Sequence, residues 1–398
     1  MRKKKNRHLN RVNIAPGEAV SIRRERRYLA CLLLVLSIVT VSYSVYTFGF
    51  RTHYEPETEL TETNREAALY AEEETLINKI MLQMPETASL IQKTYTVPGL
   101  NATRTLAAGT EGISMCTTMT PQGMAVTEKY LFISAYCHHL THNSVLYMLD
   151  RESGELIREI VLQGKDHCGG MAYDPEHQIV WVSGGTTGSA KAVGYSLQSL
   201  EEYSLDESME PLEPLYRYTL ATITRNSYMN YADKALYIGY FTKSGLSQLQ
   251  RLNLTEEGGL NAQIIDSYDS RIESVMADYT VETSGQVQGV AVYAGSDPAW
   301  LMLSKSFGVY DSTLQFYNFD LTSYRDELAE KVTRLPMKLE QITVADGQLY
   351  CLFESGAYPY RTQPGVRVDR VLVFNVKDMI PETEEEIVDI ADIADTEE

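Results

Sequence analysis

The chain has 398 residues, 44% of them hydrophobic and 22% charged, with a formal net charge of −19 and five cysteines. Residues 1–27 hold ten basic and two acidic residues, a local excess of eight positive charges, so the remainder carries −27. A body this acidic argues against nucleic acid or anionic lipid head groups as its partner.

The basic tail, residues 1–27, is followed by 23 residues without a charge, Tyr28 to Phe50. A helix of that length crosses the hydrocarbon core of a bilayer. The basic residues before it and the acidic ones after it place the N-terminus in the cytoplasm and everything beyond Phe50 outside the cell. The expectation is a single-pass cell-membrane protein with an uncleaved signal anchor. A cleaved signal peptide would need a shorter apolar core and a small-x-small site. Here the stretch ends in Tyr43, Tyr46, Phe48 and Phe50, which suit the outer interface. Leu29-Ala30-Cys31 is no lipoprotein signal, because the apolar stretch follows Cys31.

Residues 51–92 are acidic and lack glycine. A helix is expected over Glu66 to Met84, with Leu69, Leu76, Ile77, Ile80 and Met81 near one face. The segment reads as a stalk whose removal leaves the following domain folded.

From about residue 93 to 380 a unit recurs. Its copies begin Gln122-Gly123-Met124-Ala125-Val126, Gly169-Gly170-Met171-Ala172-Tyr173, Ser227-Tyr228-Met229-Asn230-Tyr231, Gln288-Gly289-Val290-Ala291-Val292 and Glu340-Gln341-Ile342-Thr343-Val344. Each continues as turn, strand, variable loop, strand, with β-branched and aromatic residues in partial alternation. After the first copy, Glu152 to Glu155 turns into a fourth strand, Leu156 to Leu162. Four strands repeating every 40 to 60 residues or so mark β-propeller blades. The fold class is therefore all-β, with five blades, or six if Thr94 to Leu106 starts another. We assign that segment to the last blade as its outer strand, which closes the ring and removes a sheet edge. Pro381 to Glu398 holds nine acidic residues and no basic one, and reads as a disordered tail.

These repeats resemble propellers of the YVTN and quinoprotein-like kind. The wording of Pro121-Gln122-Gly123-Met124, Ile133-Ser134-Ala135-Tyr136, His142 to Tyr147 and Gly169 to Asp174 also resembles uncharacterised, membrane-anchored surface proteins of clostridial-type Gram-positive bacteria. The resemblance implies a fold and no particular reaction.

Signatures of hydrolase elbows, zincins and dinucleotide folds are missing from the sequence, and no cofactor or metal is assigned. Gly184 to Lys191 has the composition of a phosphate loop but reads as a blade hairpin. Cys137-His138-His139-Leu140-Thr141-His142 and Asp166-His167-Cys168 fall in loops that a propeller brings to one face, where Cys116 also emerges. Three readings stay open: a Cys137–Cys168 disulfide with Cys116 as rival partner, a Cys/His zinc site, or histidines lining a ligand pocket. The disulfide is the pairing expected, and Cys351 reads as a buried free thiol. Candidate ligand-binding residues are Tyr136, His138, His139, His142, Asn143, His167, Tyr358 and Tyr360. The expected function is a membrane-displayed binding or scaffolding module for an extracytoplasmic ligand or protein. The alternative is a tethered enzyme of the lactonase, lyase or hydrolase type, with a carboxylate or second base beside His142 and His167.

Overall fold

The computed structural model of the protein describes residues 16–45, 62–107, 112–267 and 270–381. The acidic tail from Glu382 onward, the first 15 residues and the end of the expected span, residues 46–50, lie outside the described residues. So do residues 51–61 at the start of the stalk. Two compact units divide the chain at Glu55 and Pro56.

The first unit holds a single helix, Pro16–Val45. It starts twelve residues before the expected span and takes in part of the basic tail. Along residues 28–42 the large apolar side chains, among them Leu32, Leu34 and Val41, are more than half exposed. Among the described residues no helix is long and apolar enough to cross a membrane.

The second unit is a five-bladed β-propeller. Blade one is Met119–Val126, Tyr130–Cys137, Val145–Asp150 and Leu156–Val161, antiparallel in that order. Blade two runs Met171–Asp174, Ile179–Thr186, Ser189–Ser196 and Tyr216–Leu220, and is widened by the hairpin Ala262–Ser267 and Ser270–Val275. Blade three runs Tyr228–Ala232, Ala235–Gly239, Leu246–Asn253 and Tyr279–Ser284, with Ser323–Tyr324 at its edge. Blade four is Val287–Tyr293, Trp300–Lys305, Ser312–Asn318 and Lys331–Leu335. Blade five is Leu339–Ala345, Gln348–Phe353 and Arg370–Asn375, closed by Ile91–Thr96 from the N-terminal side. The closing strand thus starts three residues earlier than the sequence suggests. Thr103–Thr105 leaves it to pair with Ser114–Cys116 as a separate hairpin.

Local chemistry explains the turns. Asp346 and Gly347 join the first two strands of blade five with φ of 50° and 70°. Asp233 and Lys234 do the same in blade three with φ of 46° and 55°. Paired positive φ values match the right-handed twist of a hairpin. Gly184 to Lys191 is indeed a blade hairpin, with Thr186 opposite Ser189. Trp181, Tyr216 and Tyr218 stack on one another at 5.6–6.2 Å, so the tyrosine content serves blade packing in large part.

The N-terminal segment corrects the stalk reading. The helix is short, Glu73–Met81, followed by Pro85–Ser89. Leu76 and Ile80 are fully buried in one apolar cluster with Trp300, Phe316, Phe353 and Phe374 of blades four and five. Met81, expected on the same face, is exposed. Before the helix, Leu69 and Tyr70 donate their N–H groups to the buried Asp369 carboxylate at 2.7 and 3.0 Å. Arg370 donates to the carbonyl of Tyr70 at 2.7 Å. A segment held this way is part of the domain, because its buried backbone groups have no other partners to turn to.

Candidate functional site

The five inner strands stand side by side around the axis. The glutamine of the last copy fills it. Gln341 is fully buried; its Oε1 accepts from the N–H of Met124 at 3.1 Å and of Met171 at 2.8 Å. Its Nε2 donates to the carbonyls of the same residues at 2.7 and 2.6 Å. Gly169 and Gly170 let these backbones approach. A Cβ on Gly169 would lie 2.4 Å from Ser227 O, and one on Gly170 2.5 Å from Met229 N.

Above this seal opens a cavity of about 660 Å³. All five blades contribute the residue just before the aligned inner position: Gln122, Gly169, Ser227, Gln288 and Glu340. Glu340 and Glu354 form its acidic floor, each about 5% exposed. Gln288 donates to Glu340 at 3.2 Å, Gln122 to Glu354 at 2.9 Å, and Lys338 Nζ lies 3.3 Å from Glu354. Burial pushes the carboxyl of Glu340 well above its ordinary range, and the neighbouring Glu354 adds to the rise. Glu354 is raised too, again by burial, with Lys338 opposing. The pair therefore holds a proton more readily than free carboxylates. Arg225, Lys243, Phe241 and Phe307 line the cavity further out, the two phenyl rings 6.4 Å apart.

His167 lines this cavity. Its ring stacks on Tyr136 at 3.9 Å. Surrounding protein lowers its pKa to about 4, with His138 adding to the effect, so the imidazole is neutral at physiological pH. His138 lies 6.4 Å from both Tyr136 and Tyr360, and His139 lies 6.2 Å from Tyr358. Tyr360 reaches the cavity wall beneath Lys338 Nζ, 4.1 Å from its ring centre. Six of the eight sequence candidates thus form one ledge of aromatic and imidazole rings along one side.

The other two go elsewhere. Asn143 donates to Leu162 O at 2.9 Å and fixes its loop. His142 does not line the cavity: its Nδ1 is 3.5 Å from Cys137 Sγ and its Nε2 is 3.2 Å from Ser114 Oγ. Cys137 and Cys168 are both free thiols, so the expected disulfide is not formed. Cys168 turns away and donates to Asp166 O at 3.3 Å, because its φ of 54° swings the side chain out of the loop. Cys137 meets Cys116 instead. The Cys116 thiol beside it is the main cause that holds the Cys137 pKa below its ordinary value, against the opposing effect of burial. The same contact, followed by burial, raises Cys116. Cys351 is buried and free, as the sequence suggests.

No protein-family model and no curated protein sequence matches the chain. Similar solved structures include the WD40 repeats of RRP9, at 8% identity and TM-score 0.38, covering 72% of this chain and 99% of that one. A nidogen/laminin complex matches at 12% identity and TM-score 0.32, covering 63% and 85%. A putative oxidoreductase (glucose dehydrogenase) from Thermus thermophilus matches at 14% identity and TM-score 0.37, covering 69% and 90%. Likeness at this level carries nothing about activity.

Proposed function

We propose that this protein is a membrane-tethered propeller whose five blades bind a small polar ligand at the mouth of the sealed channel. The observation that carries the reading is the cavity itself. It has the volume of a small-molecule site, and its floor is a buried acid pair fixed by Gln122, Gln288 and Lys338. A ligand bearing hydroxyl, amide or amine groups meets acceptors and a shared proton at the floor, and flat rings at Tyr360 and Phe307. Gln341 blocks the axis below, so the cavity is a receptacle and not a passage.

The enzyme alternative keeps part of its requirement, since His167 shares the cavity with the carboxylates of Glu340 and Glu354, while His142 points into the thiol cluster instead. The test is a thermal-shift screen of the purified protein against sugars, amino acids, polyamines and hydroxy acids. Ligands that raise the midpoint of the parent protein are expected to lose their effect on Glu354→Gln and Phe307→Ala. Equal stabilisation of parent and variants would remove this cavity as the site.

The tether rests on the sequence: the uncharged stretch continues to Phe50 beyond the described helix, with ten basic residues before it and, after it, Arg51 followed by Glu55, Glu57, Glu59 and Glu62. A reporter fused after Arg51 is expected outside the cell, and the full chain is expected to resist carbonate extraction. Release of a soluble fragment starting near residue 50 would show cleavage.

A further inference from the structure

Cys116 comes from one stretch of chain and Cys137 and His142 from another, and their ligand atoms all lie within 4.8 Å of one another. Among the described residues this is the one such group of three. From the convergence of two thiols and one imidazole we infer that the protein holds a zinc-class divalent ion here, in a site apart from the cavity.

The geometry is close to what the ion requires. Zinc–sulfur and zinc–nitrogen bonds of about 2.3 and 2.0–2.1 Å, arranged tetrahedrally, put sulfur and nitrogen about 3.6 Å apart and two sulfurs about 3.8 Å apart. Cys137 Sγ and His142 Nδ1 are 3.5 Å apart. Both thiols are out of solvent, Cys116 at 0% and Cys137 at 1% exposure. Binding the ion takes both sulfurs as thiolates, any thiol proton passing to water, and leaves neutral imidazole as the third ligand.

The surroundings fit ligation as well. With Nδ1 on the metal, the Nε2–H of His142 donates to Ser114 Oγ, already 3.2 Å away. That hydrogen bond fixes the ring and its tautomer. Thr118 Oγ1 lies 3.7 Å from Cys116 Sγ and 3.6 Å from Cys137 Sγ, within reach to donate its one hydrogen to either thiolate. The backbone pairing of Ala107 with His142 and the bond from Asn143 N to Leu106 O, 2.8 Å, hold the loop in place. Three protein ligands leave a fourth position for solvent, and His142 is half-buried, which gives water a path. The ion ties the Ser114–Cys116 strand to the loop that carries His138 and His139, and so braces the ring ledge beside the cavity.

The test uses the full chain purified without chelator. Elemental analysis is expected to give about one zinc per chain, and full alkylation under denaturing, non-reducing conditions to find both thiols reduced. Cobalt exchanged into the site is expected to show the intense thiolate-to-metal charge-transfer band of two-sulfur ligation. Cys116→Ser, Cys137→Ser and His142→Gln are each expected to lose the metal, while Cys168→Ser and Cys351→Ser retain it. A Cys116–Cys137 disulfide found by peptide mapping, or metal content unchanged in His142→Gln, would overturn the assignment. The cobalt spectrum of the parent protein decides the matter even if a cysteine variant fails to fold: absence of the charge-transfer band overturns it.

Discussion

Gln341 and Met171 hydrogen-bond to each other twice, side-chain amide to backbone, at 2.8 and 2.6 Å. The same amide makes the same pair of contacts with Met124. One side chain from blade five therefore replaces the ladder that inner strands of a closed ring lack across their axis. Gln341→Ala removes a partner from five buried backbone groups, the fifth being Met229 O at 3.3 Å, each unpartnered group costing about 1–3 kcal/mol. Allowing for water entering the vacated space, we expect a loss of roughly 2–4 kcal/mol, read from urea unfolding. A change below about 0.5 kcal/mol would show that these groups find other partners.

Gly170 tests the close approach of blades two and three. Its imaginary Cβ meets backbone, Met229 N at 2.5 Å and the carbonyl carbon of Tyr228 at 2.6 Å. Backbone cannot rotate aside as a side chain can, so Gly170→Ala must separate two inner strands. The expected outcome is destabilisation of more than about 2 kcal/mol, read from urea unfolding.

The N-terminal segment is predicted to be required for a stable propeller. Leu76 and Ile80 are completely buried among blade four and five side chains. Leu76→Ala is expected to cost about 2–5 kcal/mol, the range for emptying a core leucine site. Removing residues 62–85 exposes that cluster and deprives Asp369 of two N–H donors. A truncated protein that melts at the parent temperature would return the segment to the role of spacer.

The acid pair sets a pH dependence. The folded pKa of Glu340 lies above its unfolded value near 4.5. In the window between the two, the folded state binds more protons than the unfolded state, so stability falls as pH rises through it. The contribution is fully present below pH 4.5 and is lost once the pH passes the raised folded value. Glu340→Gln keeps the bond to Gln288 but has no charge to bury. Its thermal midpoint, relative to the parent, is expected to be higher at pH 8 than at pH 5. An equal offset at both would show that Glu340 ionises freely.

His167 shifts the other way. His167 is itself exposed at the cavity's open side, so the lowering of its pKa to about 4 from 6.5 makes only a solvent-screened contribution, lost as pH falls from 6.5 towards 4. Nitrogen-15 spectra of the histidines should show His167 still neutral at pH 5. A midpoint near 6.5 would show that the surrounding protein leaves this exposed ring unshifted.

The propeller itself was legible from the chain. The recurring strand unit supplied five blades, and the acidic stretch after Val376 made an N-terminal closing strand the better choice. That reasoning works because strand patterning is local: side chains two apart share a face whatever the rest of the chain does. The ledge was legible through topology. Loops leaving second strands and loops entering inner strands share a face, and this brought His138, His139 and His167 together; Tyr358 and Tyr360 read from the sequence only as loop tyrosines, and the structure joins them to the ledge. The cavity floor had a signal too: the position before the aligned residue is Gln122, Gly169, Ser227, Gln288 and Glu340 in the five copies, polar or glycine each time. Read down the repeat, that column marks the mouth; read one copy at a time, it looks like an ordinary strand entry.

The rest needed the tertiary structure. Leu76 and Ile80 show the same helical spacing whether the helix is a stalk or packs on blades four and five, and only the neighbours distinguish the two. Cys137 had two partners in reach by topology. The choice of Cys116 over Cys168 turns on a few ångströms and on a left-handed backbone at Cys168, which spacing in the chain does not encode. Gln341 and Glu354 gain their roles from burial, since the field around a polar group is set by every atom packed near it and not by its sequence neighbours.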